Sequence, residues 1–252
     1  MARQRTPEGP PPPPAVQKLR IRYAKRGRLR FSSTRDFSRA LDRALRRAGV
    51  PMAFSAGFHP HPLISYANAA PTGTASEAEY FQIRVTERVD PAAVREALDE
   101  ALPDGLDVVD VVEAGPGALA DRLEASEWRI VVRGADADEV RAALAAYLAC
   151  ERAETTRTFK SGPRTFDTRE AVLDARVCDV DEVGCAILRV VVRHTTPSVR
   201  PDDILTALHA VTGFAAPVPP LVTRLAQGPL VEAGDGVADP LAADREAVGP
   251  GG

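Results

Sequence analysis

A change of hydrophobic period within residues 17–49 constrains the fold most. Over residues 18–23 apolar and cationic side chains alternate, which predicts a strand with one apolar and one basic face. The apolar residues that follow recur at helical spacing. Ser33 or Thr34 can cap that helix, and Gly49 ends it. The sequence thus predicts that the folded chain begins with a strand followed closely by an amphipathic helix.

The order of the predicted elements then repeats. Residues 17–113 and 126–225 each read as strand, helix, strand, strand, helix, strand, which predicts an α+β chain of two ferredoxin-like (βαββαβ) modules in tandem. The first module contains a long loop, residues 52–76. A Pro-rich leader, residues 1–16, and a tail, residues 226–252, lack hydrophobic periodicity and are predicted to be disordered.

The duplication is inferred from element order, since no repeat is visible residue by residue. In the second module the two middle strands are predicted at residues 153–160 and 184–193.

Charge is distributed unevenly. The net charge is −3, yet residues 17–49 contain twelve Lys or Arg against two Asp. Clustered like charge favours a partner that compensates it, and an Arg-rich set suits phosphate contacts and stacking on bases. An acidic protein partner would satisfy the same charges. The cations predicted to form this contact surface are Arg20, Arg22, Arg28, Arg30, Arg35, Arg39, Arg43, Arg46 and Arg47.

The loop contains the sequence GFHPHP at residues 57–62, where two prolines restrict the backbone. We expect it to present histidine and backbone groups to a ligand or partner. Histidine titrates near neutrality, so His59 or His61 is also a candidate catalytic acid or base for RNA cleavage. A metal site needs at least a third ligand, and none is predicted here. The candidate contact residues are Gly57, Phe58, His59 and His61.

A second basic turn lies at residues 160–164, where Lys160 and Arg164 flank a tight turn. It is either a simple surface turn or a second contact patch, and the sequence leaves both open.

Cellular location follows from composition. The three cysteines match no disulfide, zinc or cluster spacing, which is typical of reduced thiols. No apolar run is long enough to span a bilayer, and no secretory signal is visible. We expect a cytoplasmic protein with no membrane contact.

Residues 30–79 resemble a known family. The matching residues are Arg30-Phe31-Ser32, Asp36, Arg46-Arg47, Pro51, Ser55, the 57–62 motif, Gly73, Ser76 and Glu79. They resemble the radical-SAM-linked (radical-SAM-associated) protein family, a domain of unknown function found fused to or encoded beside B12-binding-type radical SAM enzymes. The resemblance implies a radical SAM enzyme as partner and, from the gene neighbourhoods of such members, work on RNA or ribosomes.

The resemblance supplies no catalytic residues. The chain has no C-x-x-x-C-x-x-C motif, so S-adenosylmethionine and an iron–sulfur cluster are expected only in the partner enzyme, and no cofactor is expected in this chain.

Three functions therefore follow as hypotheses. The first is a non-catalytic accessory module that binds RNA, either tRNA or rRNA, and works with a separate radical SAM enzyme in RNA modification. The second is an RNA-processing endonuclease that uses His59 or His61. The third is a protein docking module for the radical SAM partner without RNA contact.

Overall fold

The computed structural model describes residues 12–180 and 185–247. Within them the strands are β1 (Gln17–Lys25), β2 (Ile64–Ala67), β3 (Ala75–Val85), β4 (Leu106–Glu113), β5 (Ala125–Val132), β6 (Glu154–Phe159), β7 (Gly162–Asp167), β8 (Val172–Val180), β9 (Ala186–Arg193) and β10 (Leu221–Gly228). The helices are α1 (Thr34–Arg47), α2 (Pro91–Ala101), α3 (Ala137–Leu148), α4 (Pro201–Thr212) and α5 (Ala242–Ala247). Strand pairing is mostly antiparallel, so the predicted mixture of helices and antiparallel sheet is confirmed.

The described residues divide into two compact units. The first unit takes residues 12–73, 78–118 and 241–247, and the second takes residues 74–77, 119–180 and 185–240. Each unit is discontinuous in sequence. Residues near the C-terminus therefore belong to the unit that begins the chain.

In the first unit the strands lie in the order β4, β1, β3, β2, and both β1–β4 and β2–β3 are antiparallel. The apolar face of β1 packs against α1 and β3, where the Tyr23 and Phe37 rings stack with centroids 4.2 Å apart. The predicted apolar face of β1 is confirmed, because Leu19 and Ile21 are fully buried. Burying side chains of this size contributes about 1.5–3 kcal/mol each.

In the second unit the strands lie in the order β10, β5, β9, β8. Residues Ala75 and Ser76 pair in parallel with Thr223 and Arg224 of β10. The core forms between the sheet and helices α3 and α4. Its largest members include Trp128, Ile130, Val140, Leu144, Tyr147, Leu188, Val190, Ile204 and Leu208.

The middle strands of the second unit differ from the prediction. The sequence predicts residues 153–160 as a strand of the main sheet. The structure instead pairs β6 with β7 in a separate two-stranded hairpin, and β8 pairs with β9 in the sheet. The hairpin has mostly polar side chains on both strands, so hydrophobic alternation did not distinguish it from a sheet strand.

The ends of the chain are only partly described. Residues 12–16 have no regular secondary structure, and residues 1–11 of the predicted leader lie outside the described residues. The sequence predicts a disordered tail from residue 226, whereas β10 continues to Gly228 and α5 follows with Leu241 fully buried. Residues 248–252 lie outside the residues that the structure describes. Across the described part of the chain, every helix is too short or too polar to cross a bilayer.

Candidate nucleic-acid interface

The basic face predicted for β1 is largely covered. Arg20 is only 1% exposed, and its guanidinium donates to both carboxylate oxygens of Asp244, at 2.6 and 2.8 Å, and to the carbonyl of Gly117. Asp244 is fully buried and also accepts from the backbone N–H of Gly115 at 2.9 Å. Arg20 therefore holds helix α5 and cannot reach a partner, which corrects its assignment to the contact surface.

Two other cations of β1 are also partly withdrawn from the surface, whereas Lys18 is exposed. Lys25 is buried and donates to the carbonyls of Ala70 and Pro71 at 3.4 and 3.5 Å. Such bonds offset the cost of removing an ammonium group from water. Arg22 is half-buried. The strand contributes less positive surface than its alternating sequence predicts.

Helix α1 begins at a capping box. The Ser33 hydroxyl accepts from the backbone N–H of Asp36 at 3.2 Å, and the Asp36 carboxylate accepts from the Ser33 hydroxyl at 2.6 Å and the Ser33 backbone N–H at 3.2 Å. These hydrogen bonds, aided by nearby arginines, lower the pKa of Asp36. The cap fixes where the helix starts and hence which side chains face the solvent.

The exposed face of α1 carries a row of cations. Arg35, Arg39 and Arg43, here called the arginine stripe, recur every four residues, and all three are exposed. None of them forms an ion pair with another residue that the structure describes. Arg46, by contrast, pairs with Asp42 at 2.8 Å. The stripe therefore presents three positive charges that form no ion pair within the described residues, although Arg39 and Arg35 act on the carboxylate of Asp36 and help to lower its pKa.

The turn before α1 adds an aromatic group. Residues Gly27–Phe31 form a 3₁₀ turn, in which Arg28 is exposed and the Arg30 guanidinium lies 4.6 Å from the centroid of the Phe31 ring. Phe31 is 59% exposed. An exposed ring beside a guanidinium is a suitable surface for stacking a base. At the other end of α1, Arg47 is also exposed.

The loop at residues 54–62 is held by its own backbone and one serine. The Ser55 N–H donates to the carbonyl of His61 at 2.9 Å, and the Ser55 hydroxyl lies 2.9 Å from Nδ1 of His61. Gly57 has a φ of +132°, which favours glycine. Phe58, 60% exposed, and His59 occupy the tip. The loop thus presents a ring and an imidazole to the solvent.

In the second unit, the hairpin β6–β7 carries the predicted cations Lys160 and Arg164, and both are exposed. Sequence reasoning missed their neighbours. The Arg157 guanidinium lies 4.7 Å from the Phe159 ring and 5.2 Å from the Phe166 ring, and that of Arg164 lies 5.8 Å from Phe159. An alternation of arginine and phenylalanine on both strands was the signal that would have identified this face.

Arg157, midway along β6, is held by contacts outside the hairpin. It forms an ion pair with Asp203 of α4 and donates to the carbonyl of Ser198 at 2.9 Å. Desolvation raises the pKa of Asp203 and lowers that of Arg157. Burial disfavours the charged form of both side chains, and the ion pair between them offsets that cost.

A buried serine–histidine pair in the second unit was also missed. The Ser126 hydroxyl lies 2.7 Å from Nε2 of His194, whose Nδ1 lies 2.6 Å from the carbonyl of Leu123. Since a carbonyl only accepts, Nδ1 donates and Nε2 accepts from the serine. Burial lowers the pKa of His194. This is the hydrogen bonding of a nucleophile and its base, but Ser126 is 1% exposed, so we assign the pair to packing.

The cleft described beside the N-terminal end of α1 is small. A cleft in the first unit, lined by Lys25, Ser33, Tyr66 and Glu79 among others, has a volume of about 20 Å³, enough for about one water molecule. Among the described residues, no three His, Cys, Asp or Glu side chains group as a metal site would require. The candidate interface is therefore an exposed surface of cations and rings.

Comparison with models of protein families identifies a match to most of the chain. A family model described as an uncharacterized protein conserved in bacteria (DUF2344) matches residues 18–201. No curated protein matches the chain.

Proposed function

The chain belongs to this uncharacterized bacterial family, and we propose that it is a non-catalytic accessory module that binds RNA and works with a separate radical SAM enzyme in RNA modification. The RNA would be tRNA or rRNA. The catalytic cofactors, S-adenosylmethionine and an iron–sulfur cluster, would belong to the partner enzyme.

The arginine stripe is the observation that carries this proposal. Its three guanidinium groups stand at four-residue spacing without an anionic partner among the described residues. Like charges at this spacing destabilise a helix by about 0.2–0.5 kcal/mol per pair. A phosphate backbone would remove that repulsion and exchange its counterions for the arginines.

The order of strands supports an RNA-binding fold. Apart from the hairpin β6–β7, the elements of each unit follow the order strand, helix, strand, strand, helix, strand along the chain. In each sheet the first of these four strands lies between the fourth and the third. We propose that both units are ferredoxin-like modules, the second with the hairpin β6–β7 inserted. Four-stranded modules of this kind, such as the RRM, bind single-stranded RNA, although this support is an analogy of fold.

The radical SAM partner is proposed from the resemblance of residues 30–79. The structure brings several of the resembling residues near one another. The Gly73 N–H donates to the carbonyl of Arg30 at 2.8 Å, and an added Cβ at Gly73 would lie 3.9 Å from the Phe31 ring. Two separate stretches of the motif thus meet beside α1, whereas its residues Ser76 and Glu79 are buried.

A salt titration of RNA binding tests the proposal. We expect the purified protein to retain tRNA or rRNA on a filter. Changing Arg35, Arg39 and Arg43 to Gln should reduce the slope of log affinity against log salt by about 2 to 3, and the affinity about 10- to 100-fold. The matched control changes Arg88, Arg95 and Arg141 to Gln. It alters net charge equally, but at cations that already form ion pairs.

The other two functions would give different results. RNA that acquires 2′,3′-cyclic phosphate ends, in a reaction lost in His59→Ala or His61→Ala, would indicate the endonuclease. Co-purification of a radical SAM enzyme that survives RNase and requires the stripe would indicate protein docking. Equal loss of binding in the stripe and control variants would contradict a specific role for α1.

A further inference from the structure

The hairpin β6–β7 has a face that combines cations with rings. Arg157 and Arg164 are cross-strand partners, and both guanidinium groups lie near the Phe159 ring, at 4.7 and 5.8 Å from its centroid. Like charges placed directly opposite each other destabilise a strand pair. This arrangement therefore needs an anion near each arginine.

Only one of the two arginines has that anion within the described residues. Arg157 pairs with Asp203, whereas Arg164 and the nearby Lys160 form no ion pair with any residue in the described ranges. Between Glu154 and Asp167 the hairpin contains three cations and no acidic residue. The tip is thus a positive surface whose charges are left to a partner.

The hairpin projects from a fixed base. Its strands pair with each other and with no other strand that the structure describes. At the base, the Thr168 hydroxyl donates to the carbonyl of Ala153 at 2.8 Å and lies 3.0 Å from the Tyr147 hydroxyl. The Ala153 N–H also donates to Asp167 at 2.9 Å. Phe159 and Phe166 are both half-buried, and Phe166 packs against the core of the unit, so each ring keeps only part of its surface in contact with solvent. Because the base is fixed, that surface can meet a ligand without reordering the unit.

We infer that the hairpin face, formed by Arg157, Phe159, Arg164 and Phe166, binds an unpaired stretch of single-stranded RNA. One base stacks against the ring of Phe159 and the guanidinium of Arg164, and Lys160 contacts the adjacent phosphate. This inference rests on the proposed RNA-binding function and names the form of RNA that this second surface takes.

The rings are what favour unpaired RNA. Bases within a duplex are stacked on one another and offer no free face, whereas unpaired bases can stack on aromatic side chains. An acidic peptide would satisfy Arg164 and Lys160 but would make no use of the two phenylalanine rings, which meet edge to face with their centroids 6.4 Å apart. The combination of cations and rings therefore fits a nucleic acid strand better than an acidic protein segment.

The test compares two forms of one RNA on the full chain. A labelled oligonucleotide of about 12 nucleotides is titrated by fluorescence anisotropy, either single-stranded or annealed to its complement. Phe159→Leu removes the ring but keeps an apolar side chain, and Arg164→Gln removes the exposed cation. We expect each variant to bind the single strand about 5- to 100-fold more weakly and the duplex as wild type does.

Arg152→Gln is the matched control, since Arg152 is exposed near the same hairpin but pairs with Glu154 at 2.9 Å. It should bind both forms as wild type does. If Phe159→Leu fails to fold, as judged by circular dichroism, Arg164→Gln still decides the question because its side chain lies at the surface.

The possible failures are distinguishable. If wild type binds RNA and the arginine-stripe variant does not, while both hairpin variants bind the single strand normally, the hairpin inference is overturned and the proposed function stands. If wild type binds neither form of RNA, the proposed function fails and the inference fails with it. Loss of an acidic protein partner in the hairpin variants, without loss of RNA, also overturns the inference.

Discussion

Strand β1 and helix α1 are neighbours in sequence and both rich in cations, but those cations have different environments. Arg20 on β1 is enclosed by Asp244 and the carbonyl of Gly117. Arg39, at the centre of the arginine stripe on α1, is exposed and forms no ion pair with the described residues. One cation stabilises the fold, and the other is available to a partner.

The difference shows what charge patterning can and cannot predict. A period of two assigns side chains to the two faces of a strand, but it does not say which face another part of the chain will cover. On α1 the opposite face packs into the core through Phe37, Leu41 and Leu45, which leaves the stripe outside. Cations opposite a core-packed helix face are a better guide to a binding surface than cations on a strand.

Removing the anion that compensates Arg20 should have the largest effect on stability. Asp244→Ala leaves a buried guanidinium without its carboxylate, so we expect the free energy of unfolding to fall by about 3–5 kcal/mol, measured by urea denaturation. The stripe variant, altered only at exposed positions, should change stability by no more than about 0.5 kcal/mol.

A double variant sharpens this result. Arg20→Met combined with Asp244→Leu replaces both charges with apolar groups and should recover part of the lost stability. The Gly115 N–H would still lose its acceptor, so recovery would be incomplete. If Asp244→Ala unfolds like wild type, the ion pair contributes little and Arg20 returns to the set of candidate contact residues.

Removing the cap of α1 should have a smaller effect. Ser33→Ala deletes the hydroxyl that accepts from the Asp36 N–H, so we expect a loss of about 1 kcal/mol in the free energy of unfolding. RNA affinity should fall only slightly, because the stripe itself is unchanged. Ser33→Asp, which restores a capping acceptor, is the control. A loss of RNA affinity as large as that of the stripe variant would show that the cap contacts the ligand.

The smallest effect concerns His194, a partly buried side chain whose burial favours the neutral form. Burial lowers the pKa of His194 below its ordinary value of 6.5, so the folded chain binds fewer protons there than the unfolded chain. Its contribution to stability is therefore present above pH 6.5 and is lost as the pH falls through the lowered pKa. We expect the stability of wild type to fall as the pH is lowered below 6.5, with a slope of at most about 1.4 kcal/mol per pH unit.

His194→Gln is the comparison for that experiment, because it keeps a polar side chain without a titrating group. Its thermal unfolding should depend less on pH over the same range. An identical pH dependence in the two proteins would assign the titration to another residue.

Local signals predicted much of the first unit. Ser33 and Gly49 bracket a helix that the structure places at Thr34–Arg47, and the apolar face of β1 is buried as its alternation requires. The exposure of Arg35, Arg39 and Arg43 followed from the same helical spacing. These features depend on residues within about one helical turn or strand of each other, which is the range over which sequence patterns are informative.

The remaining features depend on distant residues. The partner of Arg20 lies 224 positions further along the chain, in a segment without hydrophobic periodicity. The position of β6–β7 depends on the bond between Arg157 and Asp203, 46 positions apart. The pairing of Ser126 with His194 depends on the register of β5 with β9. Long-range pairing of this kind is decided by the whole fold and leaves no local mark.

The ion pair of Arg20 and Asp244 also has a consequence for synthesis of the chain. The first unit begins to leave the ribosome before the second, but residues 241–247 complete it. Translation must therefore pass through the whole second unit before Asp244 can reach Arg20. Until then the guanidinium of Arg20 lacks the carboxylate of Asp244. An incomplete chain that stops before α5 would therefore have an incompletely formed first unit, which protein quality control can recognise.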